Sequence, residues 1–255
     1  MPIAITRGIS PRFAECELTH LGRTPIDMGQ AEREHAAYVL ALRGLGLDVI
    51  TLPAAADLPD CVFVEDAAVV LPECAVITRP GAASRRAETT AVAAALQPWR
   101  QLLHIREPGT LDGGDVLVLD KHILVGAGGR SNAEGIAQLG ELLAPWGYRV
   151  EAVPLHGCLH LKSAVTQVSE DTVLLNPAWV EPGLFAGWRC IEVDPSEPDA
   201  ANALLIGAQL IYARHHVRTR ERLIAAGIHP QLVDASEVAK AEGAVTCCSL
   251  ICQDP

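Results

Sequence analysis

The sequence predicts an α/β protein assembled from five similar units that close into a ring. The order strand, strand, helix, strand recurs along the chain at roughly 40 to 50 residues, which is typical of radial or stacked arrays. The last segment has a strand pattern with no helix after it, while the first segment supplies a strand, a helix and a strand. The two chain ends therefore share one unit, which favours closure over an open solenoid.

The unit in the middle of the chain shows the pattern most clearly. Apolar runs at 116–119 and 123–126 flank a turn and are typical of paired strands. Apolar residues then follow helical spacing over 132–143, where Ser131 or Asn132 can cap the helix. Residues 148–155 return as a strand.

The other units repeat this order with local variations. In chain order the predicted elements are strand 3–6, helix 29–45, strand 48–52, strands 61–71 and 74–78, helix 85–96, strand 102–105, then strands 164–167, 172–175 and 188–193, strands 203–206 and 209–213, helix 219–226, strand 231–233 and strand 244–251. A doubly wound sheet requires strict alternation of strand and helix, which the doubled strands contradict. With no linker or low-complexity segment, the sequence indicates one domain over residues 1–255.

Composition excludes several classes of function. A net charge of −11 is unsuited to nucleic acid, but an acidic surface attracts cationic small molecules. No apolar run approaches the roughly 20 residues of a membrane span. The amino-terminal residues lack a signal pattern, so we expect a cytoplasmic protein whose eight cysteines are unpaired.

Acidic residues interrupt the apolar pattern at comparable positions in two units. Asp60 and Asp66 lie beside and within an apolar run, and Asp112 and Asp115 enclose two glycines. Carboxylates are rarely buried without partners, so this pattern favours a receptor for a cation, although solvated strand ends would look the same. The glycines indicate a tight turn or a backbone that a ligand approaches closely.

A histidine and a cysteine pair supply candidate reactive groups. His160 lies in an apolar stretch, where its pKa can be tuned, although a buried core histidine is the simpler interpretation. Cys247 and Cys248 are neighbours in the predicted strand 244–251, so one would face a central site and the other the core. Their spacing to Cys252 fits no standard metal site, so no metal is expected, and a redox sensor stays open as an alternative.

Several arginines lie near the same positions of their units. Arg79, Arg85 and Arg86 flank a Pro-Gly turn, and Arg130 precedes the central helix. Arginine binds carboxylates through paired hydrogen bonds, although surface charge is the alternative. A closed array would bring the acids, the histidine, a cysteine and these arginines to one central mouth. That set fits an amino acid with a positively charged side chain.

Five segments together resemble the dimethylarginine dimethylaminohydrolase family: residues 58–66, 77–81, 111–115, 160–163 and 246–249. Their order and spacing match the family, and the resemblance covers nearly the whole chain. It implies a five-bladed α/β propeller of ββαβ-type units with pseudo-five-fold symmetry. The related arginine deiminases usually carry an extra helical insertion, for which this sequence has no room.

The resemblance implies the catalytic roles. Cys247 aligns with the nucleophile and His160 with the general acid/base, while Asp66 and Asp112 would bind the guanidinium nitrogens. Glu65 would line the same pocket. Position 112 is Asp here, as in animal-type members, whereas bacterial relatives often have Glu.

The resemblance also implies how the rest of the substrate is bound. Asp60 and the backbone near Leu18 would bind the α-amino group, and Arg85 and Arg130 would bind the α-carboxylate. The backbone of Ala241 would line the pocket.

The implied reaction converts N-omega,N-omega-dimethyl-L-arginine, and monomethyl-L-arginine as well, to L-citrulline through a covalent thiouronium on cysteine. It needs no cofactor and no metal. The expected partner is this small molecule alone, without nucleic acid or membrane, in a monomer or homodimer. Two alternatives stay open: a deiminase-like hydrolase of unmethylated or otherwise substituted arginine, and a non-catalytic arginine-binding protein on the same fold.

Overall fold

The computed structural model describes residues 2–252, so Met1 and residues 253–255, which the predicted domain includes, lie outside it. The strands are β1 Ile3–Arg7, β2 Asp48–Leu52, β3 Ala68–Val70, β4 Cys74–Ile77, β5 Gln101–His104, β6 Val116–Leu119, β7 His122–Ala127, β8 Arg149–Pro154, β9 Val165–Ser169, β10 Thr172–Leu175, β11 Arg189–Glu192, β12 Ala203–Ile206, β13 Gln209–Ala213, β14 Gln231–Val233 and β15 Leu250–Cys252. The helices are α1 Met28–Gly44, α2 Glu88–Leu96, α3 Ala133–Leu143, α4 Leu161–Ala164, α5 Val217–Ala225 and α6 Ser236–Ala239.

These strands form five three-stranded sheets, which we call blades. Blades 1 to 4 contain β3–β5, β6–β8, β9–β11 and β12–β14, and blade 5 contains β15, β1 and β2. In every blade the middle strand pairs antiparallel with the first strand and parallel with the last. The predicted architecture of five ββαβ-type units is confirmed, and blade 5 contains strands from both ends of the chain.

The blades close into a propeller because each middle strand buries both of its faces. Successive side chains of a strand point to opposite sides, so neighbouring residues enter different core clusters. In β7, for example, Ile123 and Val125 pack with blade 1, and Leu124 packs with blade 3. Equivalent clusters join blades 3 and 4, blades 4 and 5, and blades 5 and 1. Five clusters therefore link five blades in a ring.

The connection between the last two strands differs among the blades. Helices α2, α3 and α5 make this crossover in blades 1, 2 and 4, and α1 makes it in blade 5. Asn132 caps α3 by accepting a hydrogen bond from the backbone N–H of Gly135, as the sequence predicts. Blade 3 instead has a short 3₁₀ turn at Pro182–Phe185, in the stretch expected to be irregular. No helix within residues 2–252 is long and apolar enough to cross a membrane.

Two predicted strands are much shorter than expected, and both corrections concern the site. Of the predicted strand 61–71, only Ala68–Val70 is a strand, because Val64–Ala67 forms a 3₁₀ turn. Of the predicted strand 244–251, only its end pairs with β1, since residues 245–248 form turns. In both segments, backbone N–H groups donate hydrogen bonds to carbonyls two or three residues earlier, so they form turns and do not pair with another strand. The predicted helix 85–96 likewise begins only at Glu88.

Candidate active site

The four predicted catalytic residues occupy equivalent places in their blades. Asp66, Asp112, His160 and Cys247 each lie in the irregular segment just before the first strand of blades 1, 2, 3 and 5. Because the blades surround one axis, these segments meet at one pocket. The pocket is lined by Glu17, Asp60, Phe63, Asp66, Arg85, Arg130, Leu159, His160, Ala241, Glu242, Gly243 and Cys247. Seven of the predicted site residues therefore line this pocket. Asp112 does not line it, but its carboxylate is hydrogen-bonded to His160, which does.

His160 lies between two buried carboxylates. Its Nε2 is 3.1 Å from Oδ2 of Asp112, and its Nδ1 is 3.8 Å from Oδ1 of Asp66. Burial alone would lower the pKa of His160, but Asp66, Asp112 and Asp115 outweigh that effect and raise the pKa to about 9. The imidazole is consequently protonated at neutral pH and can act as a proton donor.

Both carboxylates are held in place by backbone N–H groups. Asp66 accepts hydrogen bonds from Gly114 N at 3.0 Å and from Arg85 Nη1 at 2.5 Å. Asp112 Oδ1 accepts one from Gly81 N at 2.8 Å. Burial would raise the pKa of Asp66, but His160 and Arg85 reverse this and hold the pKa well below its usual range. Asp66 is therefore a fixed negative charge.

The two glycines of the 111–115 segment allow a close approach of backbone to side chain. A Cβ at Gly114 would lie 2.6 Å from Nδ1 of His160 and 2.7 Å from Oδ1 of Asp66. The carboxylate of Asp115 accepts hydrogen bonds from Leu161 N at 3.1 Å and from the Ser131 hydroxyl at 2.6 Å. Because Leu161 follows His160 in the chain, the first bond links this segment to the histidine. The tight turn predicted from the glycines is present.

Cys247 is the partly buried thiol of the pocket. Burial, followed by the charges of Glu65 and Asp66, raises its pKa well above the usual value, so the resting side chain is a thiol. Ala244 N donates a hydrogen bond to its Sγ at 3.4 Å. Cys248 is buried in the core instead, with a pKa raised to about 12 by burial. The two thiols do face different environments, but a turn and not strand alternation separates them.

A polar network holds the turn that carries Cys247. Glu65 accepts from Lys162 Nζ at 2.5 Å and from the Thr246 hydroxyl at 2.8 Å, and Glu65 N donates to Cys247 O at 3.2 Å. Asn202 donates to the Thr246 hydroxyl at 2.9 Å and accepts from Thr246 N at 3.1 Å. Glu65 thus lies behind the nucleophile, and Asn202 occupies the equivalent place at the start of blade 4.

The two arginines proposed from the sequence differ in their surroundings. Arg85 is buried and donates to Asp66, to Glu88 and to the carbonyl of Phe63. Arg130 reaches the same pocket, and its buried Nη1 has no hydrogen-bond partner within residues 2–252, its distance to Asp112 Oδ2 being 3.9 Å. Arg130 is therefore the arginine with a donor available to a ligand.

Of the residues expected near the α-amino group, Asp60 and Ala241 line the pocket, whereas Leu18 does not. Both oxygens of Asp60 accept from Glu17 N at 3.2 Å, and burial raises the pKa of Asp60. Leu18 follows in the chain and is half-buried. The N–H of Ala241 donates to Val238 O, so its carbonyl is the group that can face a ligand.

Sequence reasoning missed Glu242, Glu88 and Asn202. Glu242 lines the pocket, has a positive φ of 58° and accepts hydrogen bonds from the backbone N–H groups of residues 19 to 21. Glu88 follows Arg85 at the spacing of one helical turn, which is a signal the sequence does contain. Glu242 and Asn202 have no such signal, because their partners are distant in the chain.

The chain is similar to characterised sequences along most of its length. The family model described as "N,N dimethylarginine dimethylhydrolase, eukaryotic" matches residues 24–179. The N(G),N(G)-dimethylarginine dimethylaminohydrolase of Streptomyces coelicolor is 46% identical over 249 residues, which cover 97% of this chain and 95% of that protein. The protein of the same name from Pseudomonas aeruginosa is 35% identical over 234 residues, covering 91% of each chain.

Solved structures agree with these sequence comparisons. A cysteine-to-serine mutant of the Pseudomonas aeruginosa protein, complexed with citrulline, superposes with a TM-score of 0.93 at 32% identity, covering 97% of this chain and 98% of that one. A dimethylarginine dimethylaminohydrolase in an adduct with S-methyl-L-thiocitrulline superposes with a TM-score of 0.92 at 33% identity, with the same coverage.

Proposed function

The chain belongs to the dimethylarginine dimethylaminohydrolase family, and from that premise we propose that it hydrolyses N-omega,N-omega-dimethyl-L-arginine, and the monomethyl form, to L-citrulline. Dimethylamine is the other product of the dimethylated substrate. The observation that carries this proposal is a cysteine in one pocket with a histidine held between two buried carboxylates. A delocalised guanidinium is a poor electrophile, and this arrangement can bind it, attack it and protonate its leaving group.

The acidic side of the pocket binds the guanidinium. Asp66 and Asp112 each accept hydrogen bonds from the protein, and a carboxylate has about four acceptor positions, so each retains room for a substrate N–H. Two fixed carboxylates orient the group and hold its charge. Arg130, with its available Nη1, binds the α-carboxylate, and Arg85 acts mainly by holding Asp66. Asp60 and the carbonyl of Ala241 bind the α-amino group.

Substrate binding generates the nucleophile. Without substrate, burial and then the nearby charges of Glu65 and Asp66 raise the pKa of Cys247 and keep it protonated. A guanidinium bound beside the thiol offsets those charges and lowers the pKa of Cys247. Because His160 is already protonated, the thiol releases its proton to solvent as the cation arrives. The thiolate, which is the nucleophilic form of cysteine in covalent catalysis, then attacks the guanidinium carbon.

His160 handles the protons of both half-reactions. It begins protonated and gives its proton to the departing dimethylamine, which leaves the thiouronium on Cys247. The neutral imidazole then takes a proton from water, whose oxygen attacks the thiouronium carbon. Citrulline leaves, and His160 is protonated again. Asp112 orients the ring through its hydrogen bond to Nε2.

The proposal is tested by measuring citrulline release from asymmetric dimethylarginine and from arginine, side by side. We expect the methylated substrate to be preferred by roughly 10- to 200-fold, which is what methyl-sized contacts supply. Cys247→Ser should abolish turnover, while the matched variant Cys190→Ser, whose cysteine is exposed, should retain it. A preference for arginine would make the protein a deiminase, and no citrulline from either would support the binding-protein alternative.

We further propose that the protein acts in the cytoplasm as a monomer or homodimer. All eight cysteines are free, which suits a reducing compartment. Every group assigned to the reaction comes from one chain, so the site does not require a second copy. The expected substrate is a small molecule, and the net charge of −11 disfavours nucleic acid as a partner.

A further inference from the structure

A second cavity adjoins the catalytic pocket and has no part in the reaction described above. It has a volume of about 390 Å³ and shares Leu159, Glu242 and Gly243 with the catalytic pocket. Its acidic lining residues are Asp199 and Glu242, and among the described residues no lysine or arginine lines it. Its charge therefore favours a cation.

Three metal-binding side chains converge on the wall of this cavity. Asp199, His215 and His216 each offer one ligand atom, and these atoms lie within 4.8 Å of one another. The Nδ1 of His216 is 4.0 Å from Oδ1 of Asp199, and the two imidazole rings are 4.0 Å apart between centroids. Two imidazoles and a carboxylate form a common donor set for zinc, with water at the fourth position.

The fold holds one ligand rigidly and leaves the other two able to adjust. His216 is buried, lies between β13 and α5, and packs its ring against Tyr212 at 5.8 Å between centroids. His215 and Asp199 are exposed, so small rotations can bring their ligand atoms to the roughly 2 Å bond lengths of zinc.

The other cluster of potential ligands within residues 2–252 is less suited to a metal. Asp66, Asp112 and His160 also lie within reach of a common ion. However, Arg85 bonds to Asp66 at 2.5 Å, and Arg130 lies 3.9 Å from Asp112. The His160 imidazole is also hydrogen-bonded to Asp112 at 3.1 Å, so all three side chains already have protein partners.

We propose that Asp199, His215 and His216 form a binding site for a divalent transition-metal ion of the zinc type. This departs from the sequence expectation of no metal, which considered only the cysteines. The site does not depend on Cys247 or on the hydrolytic reaction. An ion there lies in a cavity that His20 and Leu21 also line.

The test is equilibrium dialysis of untagged protein against Zn²⁺, in a Cys247→Ser background that removes the catalytic thiol as a ligand. We expect one ion per chain to bind saturably. His215→Ala and Asp199→Asn change exposed residues, so these variants should fold, and each should weaken binding by roughly tenfold or more. Co²⁺ in place of Zn²⁺ should give a visible absorption spectrum that these variants lose.

The matched control is His229→Ala, since His229 is exposed and does not line the cavity. Its affinity for Zn²⁺ should equal that of the background. The proposal is overturned if no saturable binding occurs in the Cys247→Ser background, or if His215→Ala and Asp199→Asn bind as tightly as His229→Ala.

Discussion

At the scale of single residues, the site depends on a histidine whose charge two carboxylates stabilise. The pKa of His160 is raised from 6.5 to about 9, with Asp66 and Asp112 on either side of the ring. Removal of that charge takes away the cation that lies between these two buried acids. The same contacts that prepare the general acid therefore also make the stability of the fold depend on pH.

We predict that His160→Asn changes the pH dependence of unfolding. The folded-state pKa lies above the unfolded value, so the stabilisation is fully present below about 6.5 and is lost as pH rises through about 9. Across that window the wild type should lose on the order of 3 kcal/mol more unfolding free energy than the variant. Urea denaturation at a series of pH values measures this, and parallel curves for the two proteins would refute it.

The proposed catalytic residues could be selected from the sequence because the resemblance to the family adds to local signals that are weak alone. Asp66 lies within an apolar run, glycines mark the turn after Asp112, and Cys247 belongs to one of the segments that resemble the family. Asn202 and Glu242 carry no such signal. Their partners are about 40 and 220 residues away in the chain, so only the closed ring brings them together.

At the scale of elements, the site is built from the segments that lead into the first strands of the blades. Periodicity predicted the strands β6, β12, β13 and β14 closely, because apolar alternation dominates there. Periodicity also predicted strands at 61–71 and 244–251, which begin too early in the chain, because pairing starts only at β3 and β15. In those two segments apolar residues line the pocket or pack in turns, so the pattern persists although the strand pairing does not.

The backbone N–H groups of residues 19–21 are held by one carboxylate, that of Glu242, which lines the pocket. Glu242 accepts from the N–H groups of Thr19, His20 and Leu21 at 2.5 to 3.0 Å. We predict that Glu242→Gln, which removes the negative charge, increases hydrogen exchange of these three amides by roughly tenfold. The control Glu141→Gln alters an exposed helical residue and should leave the exchange unchanged. Unaltered protection in Glu242→Gln would show that another contact holds this segment.

At the scale of the whole molecule, the ring makes every blade depend on its two neighbours. Leu174 in β10 is fully buried in the cluster between blades 3 and 4, whereas Leu40 on α1 is 63% exposed. We predict that Leu174→Ala lowers the free energy of unfolding by about 2–5 kcal/mol in a single transition. Leu40→Ala should change it by less than about 0.5 kcal/mol. Separate unfolding of individual blades would contradict a ring that acts as one domain.

The central claim is that Cys247 forms a covalent intermediate with dimethylarginine. The most direct measurement is acid quenching during turnover, followed by mass spectrometry of the intact chain and its peptides. The account predicts a thiouronium adduct confined to the peptide containing Cys247, with dimethylamine released before citrulline and no adduct in Cys247→Ser. Citrulline formation that persists in Cys247→Ser, or an adduct on another residue, would contradict it.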